Sequence, residues 1–462
     1  MMPRLRGSST VVVFLSAIWL LLFLFYEHII PYTAARRCLW GHVANQKNIL
    51  FVADPQLIDS HTYPGRNSAL LSLSQHTVDV YLKQNYKALV KHLKPDYIFF
   101  LGDYLDNGRL CADDYYEGEF KRFERIFNQF PQYVRGKNWF TSIPGNHDVG
   151  FGNGVKAALQ TRFASHFGHP NSIELINGVD FILLDTPSLS SEDPTVRQNA
   201  ANFLHTLSKP TKPRVLLSHI PLYRDTTLQP CGPFRERNPF LQIAGHQYQL
   251  AVSPELLKEL LLRIQPQLLF AGDDHDYCDI THDSGAREFT VKSISMAMGI
   301  KYPAVQLLSF AGEGQSLNYD TRMCYLPQPY LDVVAYALMA VVSTVIILVW
   351  NIKQRSSRYN YSMLPVWSLE RTSSDLTEDQ EGISQKVYEF MANLDRNSEF
   401  IPLPNYTFTP RTWEKRCERA ILNKKQSFAR VVRKWNLLMC VKHLVVTTAL
   451  TLLSYNLVLV FI

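Results

Sequence analysis

Three long apolar runs constrain this 462-residue chain more than any other feature. The first covers residues 11–26 behind a basic tail, the second ends at Trp350, and the third reaches Ile462. Each is close to the roughly 20 residues that a helix needs to cross a bilayer. Length and aromatic edges favour membrane spans over buried core helices. The sequence therefore predicts three transmembrane helices.

The first apolar run has two interpretations. It resembles a signal anchor that is kept in the mature protein. The alternative is cleavage at the small-residue triplet that ends at Ala35. Glu27 and a long spacer separate that triplet from the apolar run, which favours retention of the anchor.

Basic residues beside the spans predict their orientation, because Lys and Arg accumulate on the cytosolic side of a membrane. Arg4 and Arg6 place the N-terminus in the cytosol, and Lys353 follows the second run. The predicted organisation is a cytosolic tail at 1–10, a transmembrane signal anchor at 11–30, a luminal domain at 46–312, a transmembrane helix at 330–351, a cytosolic linker and basic amphipathic helix at 352–442, and a transmembrane helix at 443–462.

The net charge of +6 is confined to one part of the chain. Residues 351–443 hold 16 Lys and Arg against 10 Asp and Glu, which leaves 31 of each sign elsewhere. This balance argues against a nucleic-acid partner for the large domain, and it makes membrane lipids the expected partner of the basic segment. The apolar spacing from Trp413 to Leu438 fits an interfacial helix on a membrane, or an ordinary helix packed on protein.

Five of the seven cysteines fall on the predicted luminal side. An odd number leaves at least one of them without an intramolecular partner. A secretory compartment permits disulfides, and the sequence leaves their connectivity open. The five are Cys38, Cys111, Cys231, Cys278 and Cys324.

Short apolar runs that end in polar residues recur between residues 46 and 310. Near-continuous apolar runs with β-branched and aromatic residues are typical of strands buried on both faces. Helical-period segments lie between several runs, as at Val78–Leu93, Tyr116–Phe130 and Pro254–Ile264. The pattern predicts an α/β domain whose ligand site lies beyond the carboxyl ends of the strands.

Five polar clusters follow the predicted strands. Two metal ions roughly 3.5–4 Å apart need oxygen and imidazole ligands from several strand ends, with one carboxylate that bridges them. Asp103 is the expected bridge. The clusters are Asp54-Pro55-Gln56, Gly102-Asp103, Gly145-Asn146-His147-Asp148, His219 and Gly272-Asp273-Asp274-His275.

This ordered set resembles the calcineurin-like metallophosphoesterases, whose pattern is D-x-H, GD-x-x-D, GNHD, a lone His and GH-x-H. The resemblance implies a metallophosphoesterase fold of two packed mixed β-sheets flanked by helices, and phosphoesterase activity with two divalent metal ions. It implies that His147 donates a proton or stabilises phosphoryl charge, with Asp148 orienting it. The metal ligands that it implies are Asp54, Gln56, Asp103, Asn146, His219, Asp273 and His275.

Gln56 and Asp273 depart from the family pattern, because each stands where a histidine is usual. Oxygen-rich coordination suits Mn²⁺ or Mg²⁺ better than Zn²⁺, so manganese is the expected metal. The alternative is a degenerate, inactive site; the presence of every other ligand favours activity. Arg224 is a candidate phosphate-binding residue, with a solvated surface arginine as the alternative. Asp106 either supports the site from outside or caps a turn.

A narrower resemblance is carried by the anchor, ADPQ, GDYLDNGR, PGNHD, SHIPLYR, GDDHDYC and the later spans. The set is similar to the fungal endoplasmic reticulum (ER) phosphodiesterases that remodel glycosylphosphatidylinositol (GPI) anchors. This implies removal of an ethanolamine-phosphate side branch from a mannose of the GPI glycan, which supports ER-to-Golgi transport. The implied partners are a GPI-linked glycolipid or GPI-anchored protein as substrate and cargo-export receptors.

The resemblance also implies a multi-pass protein of the ER membrane with a luminal catalytic domain, with the Golgi as the alternative location. Two other functions stay open. One is a luminal phosphoesterase that acts on another phospholipid or a nucleotide. The other is a catalytically silent membrane adaptor for GPI-anchored cargo.

Overall fold

The computed structural model describes residues 7–237, 240, 251–362 and 437–461. The chain divides into two compact units. One is formed by residues 1–16 and 339–450, and the other by residues 17–338 and 451–462. All the polar clusters of the predicted metal site belong to the second unit.

Two mixed β-sheets form the centre of the second unit, which confirms the predicted fold class. The five-stranded sheet has the order β11-β10-β1-β2-β3, and the six-stranded sheet has the order β4-β5-β6-β7-β9-β8. The strands are β1 Lys47–Val52, β2 Tyr97–Phe100, β3 Trp139–Phe140, β4 Ser172–Ile176, β5 Val179–Leu184, β6 Arg214–Ser218, β7 Leu268–Ala271, β8 Cys278–Thr281, β9 Arg287–Thr290, β10 Ala304–Glu313 and β11 Ser316–Tyr325.

The strands that lead to the site are parallel within each sheet. β1 pairs with β2 and β2 with β3 in parallel, and β5, β6 and β7 form a parallel set in the other sheet. The carboxyl ends of parallel strands lie at one edge of a sheet, so the residues that follow them are brought together.

Aromatic side chains join the two sheets. Phe51 of β1 stacks on Phe270 of β7, with ring centroids 4.2 Å apart, and Phe99 of β2 stacks on Phe181 of β5 at 5.8 Å. Successive residues of a strand face opposite sides. In β1, therefore, Phe51 faces this inter-sheet core while Leu50 packs in the core on the other face. Burial on both faces explains the near-continuous apolar run of β1.

Helices flank the sheets and join the strands. The predicted helix at Pro254–Ile264 is confirmed residue for residue, whereas the one predicted from Val78 begins ten residues earlier. Its start is set by Asn67, whose side chain accepts a hydrogen bond from the Ala69 N–H at the N-terminus of the helix. The helices of this unit are α2 Ile30–Ala35, α3 Ser68–Leu93, α4 Asp113–Phe127, α5 Asn146–Val149, α6 Ala157–Phe167, α7 Thr186–Leu189, α8 Pro194–Thr206 and α9 Pro254–Ile264.

Within the described ranges, three helices are long and apolar enough to cross a membrane, as the sequence predicts. These stretches are Thr10–Ala35, Leu331–Ile352 and Leu438–Val460. The first combines α1 (Gly7–Leu24), one π-helical turn (Phe25–Ile29) and α2; the others belong to α10 (Leu331–Ser362) and α11 (Leu437–Phe461). The predicted interfacial helix from Trp413 lies outside the described residues. The orientation and the domain bounds stay predictions.

Two disulfides form among the five cysteines of the predicted luminal side. Cys38 pairs with Cys324, and Cys231 pairs with Cys278, which leaves Cys111 as a free thiol. The first bond fastens the segment that follows the first apolar helix to β11, 286 residues away along the chain. Closing so long a loop restricts the unfolded chain strongly.

Candidate metal centre

The predicted ligands lie just beyond the strand ends. Asp54 follows β1, Asp103 follows β2, His219 follows β6 and Asp273 follows β7, each within three residues of its strand. Ligand atoms of Asp54, Asp103 and His275 all lie within 4.8 Å of one another. These three residues form the centre of the candidate site.

The other predicted ligands are tied into this centre by short contacts. The Nε2 atom of His219 lies 3.1 Å from Asn146 Oδ1, 3.4 Å from Asp103 Oδ1 and 3.5 Å from Asp273 Oδ1. The backbone N–H of Asp273 donates to Asp54 Oδ1 at 3.0 Å. The structure thus brings the strand-end residues into one cluster, and ligation by each of them stays a prediction.

Three buried oxygen atoms in this cluster have no hydrogen-bond partner: Asp54 Oδ2, Gln56 Oε1 and Asp273 Oδ2. An unsatisfied buried acceptor costs about 1–3 kcal/mol. A divalent cation is the partner that such a group of oxygens lacks. Because Gln56 and Asp273 contribute two of these atoms, the two positions that depart from the family pattern fit a metal site.

The charge of the cluster also favours the binding of cations. Burial alone would lower the pKa of His219, but the Asp103 and Asp273 carboxylates raise it to about 10. The cluster therefore holds surplus negative charge. Burial lowers the pKa of His275 to about 3, so that its imidazole is neutral, which is the form that binds metal. Two divalent ions bound here would supply an activated water and positive charge for phosphoryl oxygens.

The backbone of the cluster is left-handed at five of the seven predicted ligands. This conformation is uncommon for residues other than glycine and concentrates at functional sites. It lets the chain turn sharply at a strand end and direct a side chain into the site. The φ angles are 47° at Asp54, 35° at Gln56, 52° at Asp103, 67° at Asp273 and 63° at His275.

His147 contacts Asp106, and the orientation of His147 by Asp148 stays a prediction. His147 Nδ1 lies 2.7 Å from the backbone carbonyl oxygen of Asp106 and 3.3 Å from its carboxylate. The Asp148 carboxylate accepts from the backbone N–H groups of Gly145 and Leu105. Asp148 therefore joins the two loops that carry Asp103 and Asn146.

Asp106 also supports Gln56. Its carboxylate accepts from Gln56 Nε2 at 2.7 Å and from Thr62 Oγ1 at 2.8 Å. Burial raises the pKa of Asp106, but the hydrogen bonds from His147, Gln56 and Thr62 outweigh burial and lower it to about 2. A permanently charged Asp106 fixes the amide so that Gln56 Oε1 is the atom left without a partner.

Arg224, the predicted phosphate-binding residue, lies in the interior. Its guanidinium pairs with Glu288 at 2.7 Å, and both side chains are fully buried. The structure therefore gives Arg224 a structural ion pair, and substrate binding by Arg224 stays a prediction.

Sequence reasoning missed two arginines near the site. Arg109 is buried and donates to the backbone carbonyl oxygen of Asn146 at 3.0 Å, which holds the loop that contains His147. Arg235 pairs with Asp274, the neighbour of Asp273. The GDYLDNGR motif contains Arg109, so its place six residues after Asp103 was the available signal. Arg235 carried no comparable signal.

Comparisons with known proteins agree with this geometry. The family model described as calcineurin-like phosphoesterase matches residues 47–277. The chain belongs to this family. As a member of this family with these residues in place, the chain is a metal-dependent phosphoesterase.

This chain has relatives that align with more than two thirds of its length. It is 38% identical to Cell division control protein 1 of Saccharomyces cerevisiae over 347 residues, which cover 69% of this chain and 70% of that protein. It is 26% identical to Metallophosphoesterase 1 of Ailuropoda melanoleuca over 379 residues, which cover 75% and 91%. A crystal structure of a dimetal phosphatase from Danio rerio aligns with 15% identity and a TM-score of 0.36, covering 61% of this chain and 99% of that one.

The backbone at Gly145 approaches Asp103 closely, which explains the glycine in the GNHD motif of this chain. A Cβ atom on Gly145 would lie 2.0 Å from Asp103 Oδ1 and 2.3 Å from the Asp103 backbone nitrogen. No side chain fits there without moving the predicted bridging carboxylate.

We expect Gly145→Ala to abolish most metal-dependent hydrolysis, with at least a hundredfold loss in kcat/KM, because it displaces Asp103. A p-nitrophenyl phosphodiester provides the assay. Gly118→Ala is the matched control, since a Cβ there meets nothing within 4 Å. Wild-type hydrolysis by Gly145→Ala would contradict this packing.

Asp106→Asn should lower kcat by about 10–100-fold, the usual effect of removing an outer partner of a metal ligand. This substitution weakens the contacts that the Asp106 carboxylate makes with Gln56 and His147. Thr62→Val is the control, because it removes a hydrogen bond to the same carboxylate without touching Gln56 or His147. Equal losses in the two variants would contradict the assigned role of Asp106.

Proposed function

We propose that this chain is a phosphodiesterase that removes an ethanolamine-phosphate side branch from a mannose of the GPI-anchor glycan, and so supports remodelling and ER-to-Golgi transport of GPI-anchored proteins. The observation that carries the proposal is the cluster formed by the ligand atoms of Asp54, Asp103 and His275. A cavity of about 660 Å³ extends from the end of the first apolar helix to residues that are fastened to the metal loop. The similarity to the fungal GPI-remodelling enzymes supplies the chemical identity of the substrate.

One wall of this cavity belongs to the membrane side of the domain. Ile30, Thr33 and Ala34 lie on α2, at the end of the first apolar helix, and Arg37 follows them. A substrate that is anchored in a bilayer by its lipid would reach this wall first. Tethering enzyme and substrate to one membrane also raises their effective concentration.

Another part of the lining is fastened to the metal loop. Arg235, which lines the cavity, pairs with Asp274, and the backbone N–H of Glu236 donates to Asp276 at 2.8 Å. Lys292 pairs with Asp276 at 2.8 Å and secures it. A ligand in the cavity thus contacts a segment that is anchored beside Asp273.

The size and lining of the cavity suit a glycan. Ligand pockets are usually about 300–1,000 Å³ and combine apolar faces with a few polar groups. Phe234, Tyr302 and Tyr325 line it and are each at least 40% exposed, so their rings offer apolar faces to sugar rings. Arg37 adds a positive charge that suits a phosphate group.

The cysteines support a luminal catalytic domain. Disulfides persist in secretory compartments and are rare in the cytosol. Both disulfides lie between the first and second apolar helices. The proposed location is the ER membrane, with three spans and a luminal domain, and the proposed partners beyond the substrate are membrane lipids and cargo-export receptors.

Manganese is the proposed metal. Gln56 Oε1 and Asp273 Oδ2 are unpartnered oxygens at positions where the family pattern has imidazole. Oxygen ligands favour Mn²⁺ over the softer Zn²⁺.

Mass spectrometry of GPI glycans from a null strain tests the proposal. We expect the null strain to accumulate one extra ethanolamine phosphate per glycan, and the wild-type gene to remove it. Asp103→Ala should fail to restore the glycan because the metal centre loses its bridge. Asp283→Ala, which changes an exposed carboxylate, is the matched control.

Two outcomes would reject the proposal. An unchanged ethanolamine-phosphate content in the null strain would reject the GPI substrate. Full restoration of transport by Asp103→Ala would instead indicate a catalytically silent adaptor.

A further inference from the structure

A second, smaller cavity lies where the first apolar helix contacts α3 and the start of α10. Its volume is about 120 Å³. It is lined by apolar, aromatic, amide and acidic side chains, and none of the described residues that line it is basic. None of them belongs to the predicted metal set.

Glu27 is the most unusual residue of this cavity. Its side chain is only 6% exposed, and it lies in the π-helical turn Phe25–Ile29 of an otherwise apolar helix. The hydroxyl of Tyr336 on α10 donates to Glu27 Oε1 at 2.7 Å. Ionisable residues in apolar spans are costly, and π-helical turns occur often at functional sites.

Two further acceptors line the same cavity. Asp332 contributes a second carboxylate from the first turn of α10. Asn85 of α3 is 2% exposed, and its Nδ2 donates to the Tyr81 carbonyl oxygen at 2.8 Å. Its Oδ1 is buried without a hydrogen-bond partner. This unpartnered oxygen is independent of the carboxylates and indicates a missing donor.

The three acceptors select a small cation with N–H groups. Two carboxylates in one cavity disfavour each other's charge, and a cation relieves this repulsion. A primary ammonium group has three donors, one for each of Glu27, Asp332 and Asn85. The cavity volume of about 120 Å³ is enough for an aminoethyl group.

We propose that this cavity binds the primary ammonium group of an ethanolamine phosphate ester. Two sources have this chemistry. One is the ethanolamine headgroup of a bilayer phospholipid. The other is the free ethanolamine phosphate that the proposed reaction releases, and only this second source rests on the proposed function. Ile30, Pro327 and Gln328 line both cavities, so an ester held here lies beside the proposed substrate cavity.

Native mass spectrometry of the full-length chain tests the phospholipid source. The protein is placed in nanodiscs that contain phosphatidylethanolamine and phosphatidylcholine in equal amounts, and the retained lipids are counted. We expect phosphatidylethanolamine to be enriched about tenfold, the effect of one charge-assisted hydrogen bond, because choline has no N–H donor. This comparison needs no variant.

The second source is tested by thermal stability in nanodiscs made of phosphatidylcholine alone. Ethanolamine phosphate should raise the melting temperature, and choline phosphate should not. Selectivity in only one of the two assays identifies the source. The absence of any preference for the ethanolamine compound in both assays would overturn the proposal, and because neither assay measures hydrolysis, this result leaves the proposed reaction intact.

Variants test whether the preference for the ethanolamine compound arises in this cavity. Glu27→Gln combined with Asp332→Asn should remove the preference, whereas Glu174→Gln, which changes a carboxylate on β4, should keep it. Asn85→Leu provides a second variant if the double variant fails to fold, and it should weaken the preference by removing one acceptor. A preference that persists in folded variants would overturn the assignment to this cavity.

Discussion

The burial of several carboxylates at one edge of two sheets is the constraint on which the rest of this structure depends. Asp54, Asp103 and Asp273 are all at most 7% exposed, and the imidazole of His219 lies among them. Burial raises the pKa of both Asp54 and Asp273, so their ionised forms are costly without added positive charge. Metal binding therefore contributes directly to the stability of this edge.

Holding these groups together requires a rigid support. The parallel strands fix where each loop begins, and the stacked rings of Phe51 and Phe270 fix the two sheets relative to each other. Outer contacts then set the position of each ligand, as Asp106 does for Gln56 and Arg109 does for the loop of Asn146. Outer partners of this kind are nearly as important to a metal site as the ligands themselves.

The sequence predicts the members of the site well because a simple rule applies to them. Polar residues that end buried parallel strands must meet at one edge, so Asp54, Asp103 and Asp273 can be found from pattern alone. For Asp106 the sequence left two roles open, support of the site and capping of a turn, because the choice depends on how closely the loops of His147 and Gln56 approach. Strands β4 and β11 are half-exposed and lack the near-continuous apolar runs of the central strands, so their signal in the sequence is weaker. The left-handed backbone of the ligands likewise has no signal in a single sequence.

Metal content is the most direct test of this account. The full-length chain, purified with manganese and freed of loosely bound ions, should contain two metal ions per chain by elemental analysis. Asp103→Asn should lower this number below one, because Asp103 is the predicted bridge between the two sites, while Asp283→Asn should keep two. A wild-type chain with no more than one ion, or an Asp103→Asn chain that keeps two, would contradict the two-metal centre.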